Sequence, residues 1–240
     1  KGVRIIVGKV PREIIYNQQL GEKRALFYLY IYFAVSRSKE IIIIVNEVVK
    51  AIGYQPNAQK GRINDELISF LSWLSSWGYI KVINQKRWYT KYQALSKMEE
   101  GAYGAIRYTE FQSIIKSTNR SDALLLLAFI RLNTYKRSGR QPEMYFCHLR
   151  DLPSQLGLSL RAITESIKTL SSLGLIHCEE QPRYQDKHGN WHSGLYLFID
   201  KVKYKNGEVD QSYDWREQFK LASLWLSNEQ ANHIDLKNSL

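Results

Sequence analysis

Ile63-Asn-Asp-Glu-Leu-Ile-Ser-Phe-Leu-Ser-Trp-Leu-Ser-Ser-Trp-Gly78-Tyr-Ile80 decides the fold, because its pattern occurs a second time in the chain. The second copy reads Ile163-Thr-Glu-Ser-Ile-Lys-Thr-Leu-Ser-Ser-Leu-Gly174-Leu-Ile176. In both copies apolar residues recur at helical spacing and a glycine follows, which is a common way for a helix to end. We therefore expect two amphipathic helices, each followed by a β-strand.

The residues upstream of these helices repeat as well. In the first copy we expect a buried helix over about Glu22–Arg37, a strand over Ile41–Val45, and a short helix that Asn46 caps and Gly53 ends. In the second copy the matching elements are a helix over about Ser121–Lys136, a strand near Met144–Cys147 and a short helix over about Leu149–Leu156, before Gly157. Gly53 and Gly157 are 104 residues apart, whereas Gly78 and Gly174 are 96 apart. The eight-residue difference is an insertion in the first copy, around Tyr54–Arg62.

A pair of strands follows each long helix. The first pair flanks the basic turn Asn84–Arg87, and the second pair flanks a longer polar segment, Gln181–Ser193. The order helix, strand, helix, helix, strand pair is that of a winged helix-turn-helix. The sequence therefore predicts an α+β, mainly α fold with two tandem winged helix-turn-helix domains. We assign residues 1–100, with an N-terminal arm, to the first domain, 101–203 to the second, and 204–240 to a C-terminal helix and tail. We expect this helix over Trp215–Leu226.

Length indicates how many domains the chain can hold, and charge indicates which class of ligand it favours. A chain of 240 residues can hold two domains that are each large enough for a core of their own. Its net charge is +11, and residues 1–100 hold 16 Lys and Arg against 8 Asp and Glu. Residues 101–200 hold 12 against 9, and the last 40 residues hold 6 against 6. A positive surface of this kind favours polyanions, of which DNA is the commonest.

Other functional classes lack their signatures. The chain has no apolar run long enough to span a membrane, no phosphate-binding glycine loop and no catalytic serine elbow. We expect no enzyme activity and no cofactor. Its two cysteines are too few for a disulfide scaffold, which suits a reducing, cytoplasmic setting. His177, Cys178 and His188 are close in sequence, but alternate strand residues point to opposite faces, so we expect no metal site.

The second long helix is the better candidate for reading DNA. The last helix of a helix-turn-helix lies in the major groove, with its first residues against base edges. Ser159 is placed to cap this helix, and Arg161 near its start can match the O6 and N7 of guanine. Thr164 and Lys168 are the further candidates on this helix. The alternative is an ordinary solvated helix face with an internal Arg–Glu pair.

The first long helix has a different outer face. Asp65 and Ser69 occupy the positions of Arg161 and Glu165, so this face lacks an arginine. Polar and basic residues lie upstream of it instead, and we treat as candidate DNA contacts Asn57, Gln59, Lys60 and Arg62. The alternative is a solvated loop beside a domain that mainly dimerises.

The two predicted wings also differ. The first is compact and basic, with Lys86 and Arg87 at its turn and Lys91 nearby, which suits phosphates or a minor groove. The second is longer, with Arg183 and Lys187 spread through it. Wing tips are often only solvated hairpins, and this alternative stays open for each residue.

The tandem arrangement resembles the replication initiators of plasmids and some phages. Each repeat has a similar lead-in segment, Pro11–Tyr16 in the first and Tyr108-Thr-Glu-Phe-Gln-Ser-Ile-Ile115 in the second, and the resemblance covers most of residues 9–200. It implies sequence-specific binding of double-stranded DNA at origin repeats, a possible homodimer, and a host helicase or its loader as partner. A winged-helix transcriptional regulator is the main alternative. A third is a protein-interaction scaffold, whose mark would be an exposed apolar face in place of basic wings.

Overall fold

A computed structural model describes residues 6–36, 38–56, 62–134, 143–185, 190–192, 194–205 and 208–231. The first repeat has short strands and helices in the predicted order. Its elements are β1 (Val7–Pro11), α1 (Arg12–Tyr16), a 3-10 turn (Gln18–Leu20), α2 (Arg24–Val35), β2 (Glu40–Ile43), α3 (Val45–Ala51), α4 (Arg62–Ser76), β3 (Ile80–Gln85) and β4 (Thr90–Ala94).

The second repeat has the same succession of elements. A 3-10 turn (Ser96–Glu99) joins it to the first repeat. Its elements are β5 (Tyr103–Arg107), α5 (Tyr108–Ile114), α6 (Arg120–Asn133), β6 (Tyr145–Cys147), a 3-10 turn (Leu149–Asp151), α7 (Leu152–Leu156), α8 (Leu160–Ser172), β7 (Ile176–Glu180), β8 (Tyr184–Gln185), β9 (Trp191–His192) and β10 (Tyr196–Asp200). The short strands β11 (Tyr204–Lys205) and β12 (Glu208–Val209) and the helix α9 (Trp215–Ala231) follow.

Each repeat contains a three-stranded antiparallel sheet with the same strand order. In the first repeat the order is β2-β4-β3, and in the second it is β6-β10-β7. The last strand of each repeat therefore lies in the middle, between the strand that precedes the two helices and the strand that follows them. Together, helices and small antiparallel sheets make the chain a mixed α/β protein.

Glycine ends the short helix of each repeat as predicted. Gly53 after α3 has φ +83°, and Gly157 after α7 has φ +69°, which is the left-handed conformation that side chains with a Cβ rarely adopt. The following helix bears out the apolar pattern in both repeats, since its inward residues are buried. These are Leu67, Phe70, Leu71 and Leu74 in α4, and Ile163, Ser166 and Leu170 in α8.

Three local predictions are wrong. Asn46 does not cap α3: the helix begins one residue earlier without a side-chain cap, and the Asn46 amide oxygen instead accepts a hydrogen bond from Asn64 (2.8 Å). Gln181 is buried rather than part of the polar wing. Its backbone N–H donates to Leu195 O (2.8 Å), which continues the pairing of β7 and β10 by one residue. The C-terminal helix continues to Ala231, beyond its predicted end near Leu226.

A local twofold axis relates the two repeats. Strands β1 and β5 pair antiparallel, and the residues of one lie 96 positions before their counterparts in the other. Lys9 pairs with its own counterpart, Ala105, so the axis passes between them. The helices α2 and α6, which also begin 96 residues apart, pack against each other beside this ribbon. Gly104 of β5 permits the ribbon to approach α6 closely, because a Cβ at this position would lie 2.0 Å from Ala128 O.

The two repeats share one hydrophobic core. Residues buried in α2 and α6 belong to a single continuous cluster that also includes inward residues of α4 and α8. The length allows a core for each repeat, but the two central helices bury their surfaces against each other in one shared core. The division at residue 100 stays a prediction.

A second, smaller core lies on the outer face of the second sheet. Helix α9 packs there against β10 and buries Ala222 and Leu226 over Leu197 and Ile199. Phe146 of β6 is covered by Trp225, with ring centroids 6.1 Å apart. The last element of the chain thus closes the outer face of the second repeat.

Candidate nucleic-acid interface

A buried arginine of the first repeat contacts the end of α7, the short helix that precedes α8 in the second repeat. Arg24 begins α2 and is 1% exposed. Its guanidinium donates to Ile14 O (2.9 Å), Ile15 O (2.8 Å) and Gly21 O (2.7 Å), and also to Leu156 O at the end of α7 (2.7 Å). Burial lowers the pKa of Arg24 to about 10, so the group stays charged at neutral pH, and carbonyl oxygens surround its charge.

The counterpart of Arg24 makes the reciprocal contact. Arg120 begins α6, 96 residues later, and its Nη1 donates to Ile52 O (3.1 Å) and Gly53 O (2.7 Å) at the end of α3. Each arginine thus satisfies carbonyl groups at the end of the short helix of the other repeat, where a helix leaves its last carbonyls without partners. Since α4 follows α3 and α8 follows α7, the pair holds the two long helices in a fixed relation. Sequence reasoning missed it, because the two arginines are ordinary helix-start residues until the repeats are docked.

Helix α8 presents the predicted polar face to solvent. Arg161 is exposed and makes no ion pair with any residue that the structure describes. The predicted internal Arg–Glu pair is absent among these residues, since Glu165 instead binds Lys168 (3.1 Å). The Thr164 hydroxyl donates to Leu160 O (2.9 Å), which leaves its methyl group and one oxygen lone pair for a ligand.

The start of α8 is fixed as the sequence predicts. The Ser159 hydroxyl oxygen accepts from the Ala162 amide (3.1 Å), so Ser159 is the N-cap of the helix. On the inner side, Thr169 donates to Asn119 (2.9 Å), which lies at the start of α6. The helix is therefore held from behind while Arg161 points outward.

Helix α4 has neither a free arginine nor a basic face. Asp65, Ile68 and Ser72 lie 96 residues before Arg161, Thr164 and Lys168, at the same places on the helix. Arg62 is exposed but lies 3.6 Å from Glu66, which also binds Lys23 (2.8 Å). The candidates Asn57, Gln59 and Lys60 lie outside the described residues.

The strand pair that the sequence predicts as the first wing forms an antiparallel hairpin of β3 and β4, and the turn of this hairpin is basic and aromatic. Lys86 and Arg87 are exposed at the turn between β3 and β4, and the Arg87 guanidinium lies 4.8 Å from the centre of the Trp88 ring. Lys91 is not part of this tip. It forms an ion pair with Glu40, and Thr90 and Tyr92 face the groove described next, so Lys91 lies on the other face of the sheet.

A groove of about 790 Å³ lies between α4 and the first wing. Four exposed apolar side chains from separate parts of the first repeat line it. They are Ile44 before α3, Ile68 on α4, Val82 on β3 and Trp88 at the turn. Lys86 and Arg87 border the same groove, and no Asp or Glu lines it among the described residues. The one sequence signal for this surface is the run Ile41–Ile44, which lacks the polar alternation of a half-exposed strand.

The second wing is partly described. Arg183 is exposed, β8 pairs with β9, and Lys187 lies outside the described residues. At the base of the wing His177 packs against Trp215 and Phe219 of α9, with ring centroids 4.8 and 4.5 Å away. No group of three or more metal-ligating side chains occurs in the described part of the chain.

Two comparisons with known proteins found no match to this chain. No protein-family model matches it, and no curated protein matches its sequence. Of the helices that the structure describes, none is long and apolar enough to cross a membrane. The residues of the chain itself therefore carry the functional argument.

Proposed function

We propose that this protein binds double-stranded DNA through winged helices, with α8 as the helix that reads sequence in the major groove. The proposal rests on Arg161, which is exposed, forms no ion pair with a described residue, and lies near the start of a helix that is capped and held from behind. The bidentate fork of an arginine matches the O6 and N7 of guanine. Thr164 and Lys168 follow on the same face, suited to a thymine methyl group and a phosphate.

The twofold relation of the repeats constrains the geometry of binding. Because β1 and β5 pair antiparallel and the reciprocal arginines hold α3 and α7, the first repeat keeps one orientation to the reading helix. Arg183 in the predicted second wing is exposed and can contact a DNA phosphate. In the first repeat Asp65 stands at the position of Arg161, and the one arginine of α4, Arg62, lies 3.6 Å from Glu66. This proposal therefore places base reading in the second repeat.

Selection of bound sequences from a random duplex pool tests the proposal. We expect an enriched site that includes a guanine, and an affinity that falls steeply with salt because phosphate contacts release counterions. In the Arg161→Ala variant the preference for that guanine should disappear. Absence of any enriched sequence would overturn the proposal.

Among the roles that use such binding, we propose replication initiation, with transcriptional regulation as the alternative. The support is the tandem arrangement, which joins a DNA-reading repeat to a second repeat with a different surface. An initiator has to bind its site and also bring in other proteins. The test is whether a plasmid that carries the selected site replicates only when the chain is supplied; binding without replication favours a regulator.

A further inference from the structure

The groove of the first repeat has an exposed apolar floor. Ile44 is 43% exposed, Ile68 49%, Val82 40% and Trp88 73%. Single exposed apolar residues are normal on a protein surface, but four that line one groove form a patch, and such patches mark interaction sites. The side chains come from separate elements, so the patch is a product of the fold and not of one sequence run.

The described residues of the second repeat do not form this patch. Sheet register and helix spacing place His148, Thr164 and Cys178 at the positions of Ile44, Ile68 and Val82. These residues are polar or half-buried. The apolar groove is therefore not required by the shared fold, since one repeat forms the same elements without it.

The charge around the groove identifies the partner. Lys86 and Arg87 lie at the rim, and no carboxylate of the described residues lines the groove. A DNA backbone would satisfy these two cations, but it would bring phosphates and water over Ile44 and Val82. A protein segment with apolar residues on one side and carboxylates beside them covers the floor and pairs with the rim at the same time.

We propose that this groove binds an acidic amphipathic segment of another protein, whose apolar side chains cover Ile44, Ile68, Val82 and Trp88 and whose carboxylates meet Lys86 and Arg87. The groove runs between a helix and a hairpin and has an apolar floor, which suits the apolar face of an amphipathic helix. This assignment gives Lys86 and Arg87 a protein partner in place of the predicted phosphates. It stands independently of DNA reading by α8.

Selection of 16-residue displayed peptides on the full chain tests the proposal. We expect enriched peptides with apolar residues at helical spacing and a negative net charge. A synthetic peptide of the winning sequence should bind at least about tenfold more weakly to the Ile68→Ser, Val82→Ser double variant, as expected for residues at the centre of an interface. Both residues are exposed, so the variant should fold, which far-ultraviolet circular dichroism checks.

Matched variants separate the possible outcomes. Leu224→Ser removes an equally exposed aliphatic side chain from α9, outside the groove, and should leave peptide affinity within about twofold. Arg161→Ala should weaken binding to the selected duplex and leave peptide affinity unchanged, so failure of DNA reading and failure of peptide docking are distinguishable. Three outcomes overturn the proposal: no peptide that depends on the groove, loss of duplex affinity in the Ile68→Ser, Val82→Ser variant, or a chain dimer that this variant dissociates. The last two would assign the groove to DNA or to a second copy.

Discussion

The two repeats have the same succession of elements and different surfaces. In the first sheet Ile42 pairs with Lys91 and is 59% exposed, whereas in the second its counterpart Phe146 pairs with Leu197 and lies under α9. Helix α8 of the second repeat has a polar outer face around Arg161 and Lys168, whereas α4 of the first repeat borders an apolar groove. Burial requires the inward residues of both repeats to be mainly apolar, but it leaves the outward residues free to differ. The two surfaces can therefore serve different partners.

The contrast extends into the core. Glu110, Arg131 and Asp200 form a partly buried ion cluster in the second repeat, with Arg131 2.6 Å from the buried Glu110 and 3.0 Å from Asp200. Helix and strand positions place Ile14, Val35 and Ala94 at the equivalent sites of the first repeat. Burial by itself would raise the pKa of Glu110, but the charges and hydrogen bonds of Arg131 and Arg107 lower it below its ordinary value.

The largest expected effect is on this cluster. Glu110→Gln removes the buried charge that faces Arg131 and should cost about 3 kcal/mol of unfolding free energy at pH 7. Because the folded pKa of Glu110 is depressed, its contribution is present above the unfolded value of about 4.3 and is lost as pH falls through the folded pKa. Urea unfolding of both proteins from pH 7 to acid should show the difference shrinking below about pH 4.3. Glu165→Gln, at an exposed site, is the control and should change stability by less than about 0.5 kcal/mol.

The reciprocal arginines should contribute unequally. Arg24→Met leaves several buried carbonyl oxygens without a donor and should cost about 2–4 kcal/mol, whereas Arg120→Met should cost about 1–2 kcal/mol because that side chain is less buried and contacts fewer carbonyls. Urea unfolding at neutral pH measures both. Equal losses would contradict the view that the two contacts, although related by the twofold axis, differ in strength with burial.

The reading helices give the next comparison. Arg161→Ala should cost about 1–3 kcal/mol of binding to the selected duplex and relax its preference at one base pair. Asp65→Ala, at the equivalent place on α4, should not weaken binding, because a carboxylate there offers nothing to a phosphate. Titrations against the selected duplex and a single-mismatch duplex check both variants. A loss of affinity in Asp65→Ala as large as that in Arg161→Ala would make α4 a second reader.

What the sequence could predict follows from the range of the interactions. The element order, the Ser159 cap and the glycine ends of α3 and α7 depend on residues close in the chain, and these predictions are confirmed. The contact of Arg24 with Leu156 joins residues 132 positions apart, and no local pattern announces it.

The surface of the site was harder to predict than the fold. Ile68 is an apolar residue of α4, yet its side chain lies outward. The side of α4 that faces the core is fixed by the burial of Leu67, Phe70, Leu71 and Leu74. Asn46 was misread as a cap because its partner, Asn64, is on another helix. In both cases the packing of one element against the next decided the outcome.

The smallest effect separates the two wings. Each lost phosphate contact lowers the slope of log affinity against log salt by about 1. Arg183→Ala should reduce this slope by about 1, because we expect this exposed residue to contact one phosphate. Lys86→Ala with Arg87→Ala should leave the slope unchanged if these residues bind carboxylates of a protein. A reduction of about 2 would instead return both residues to the phosphate contacts that the sequence predicts, and the first repeat would then hold DNA without reading it.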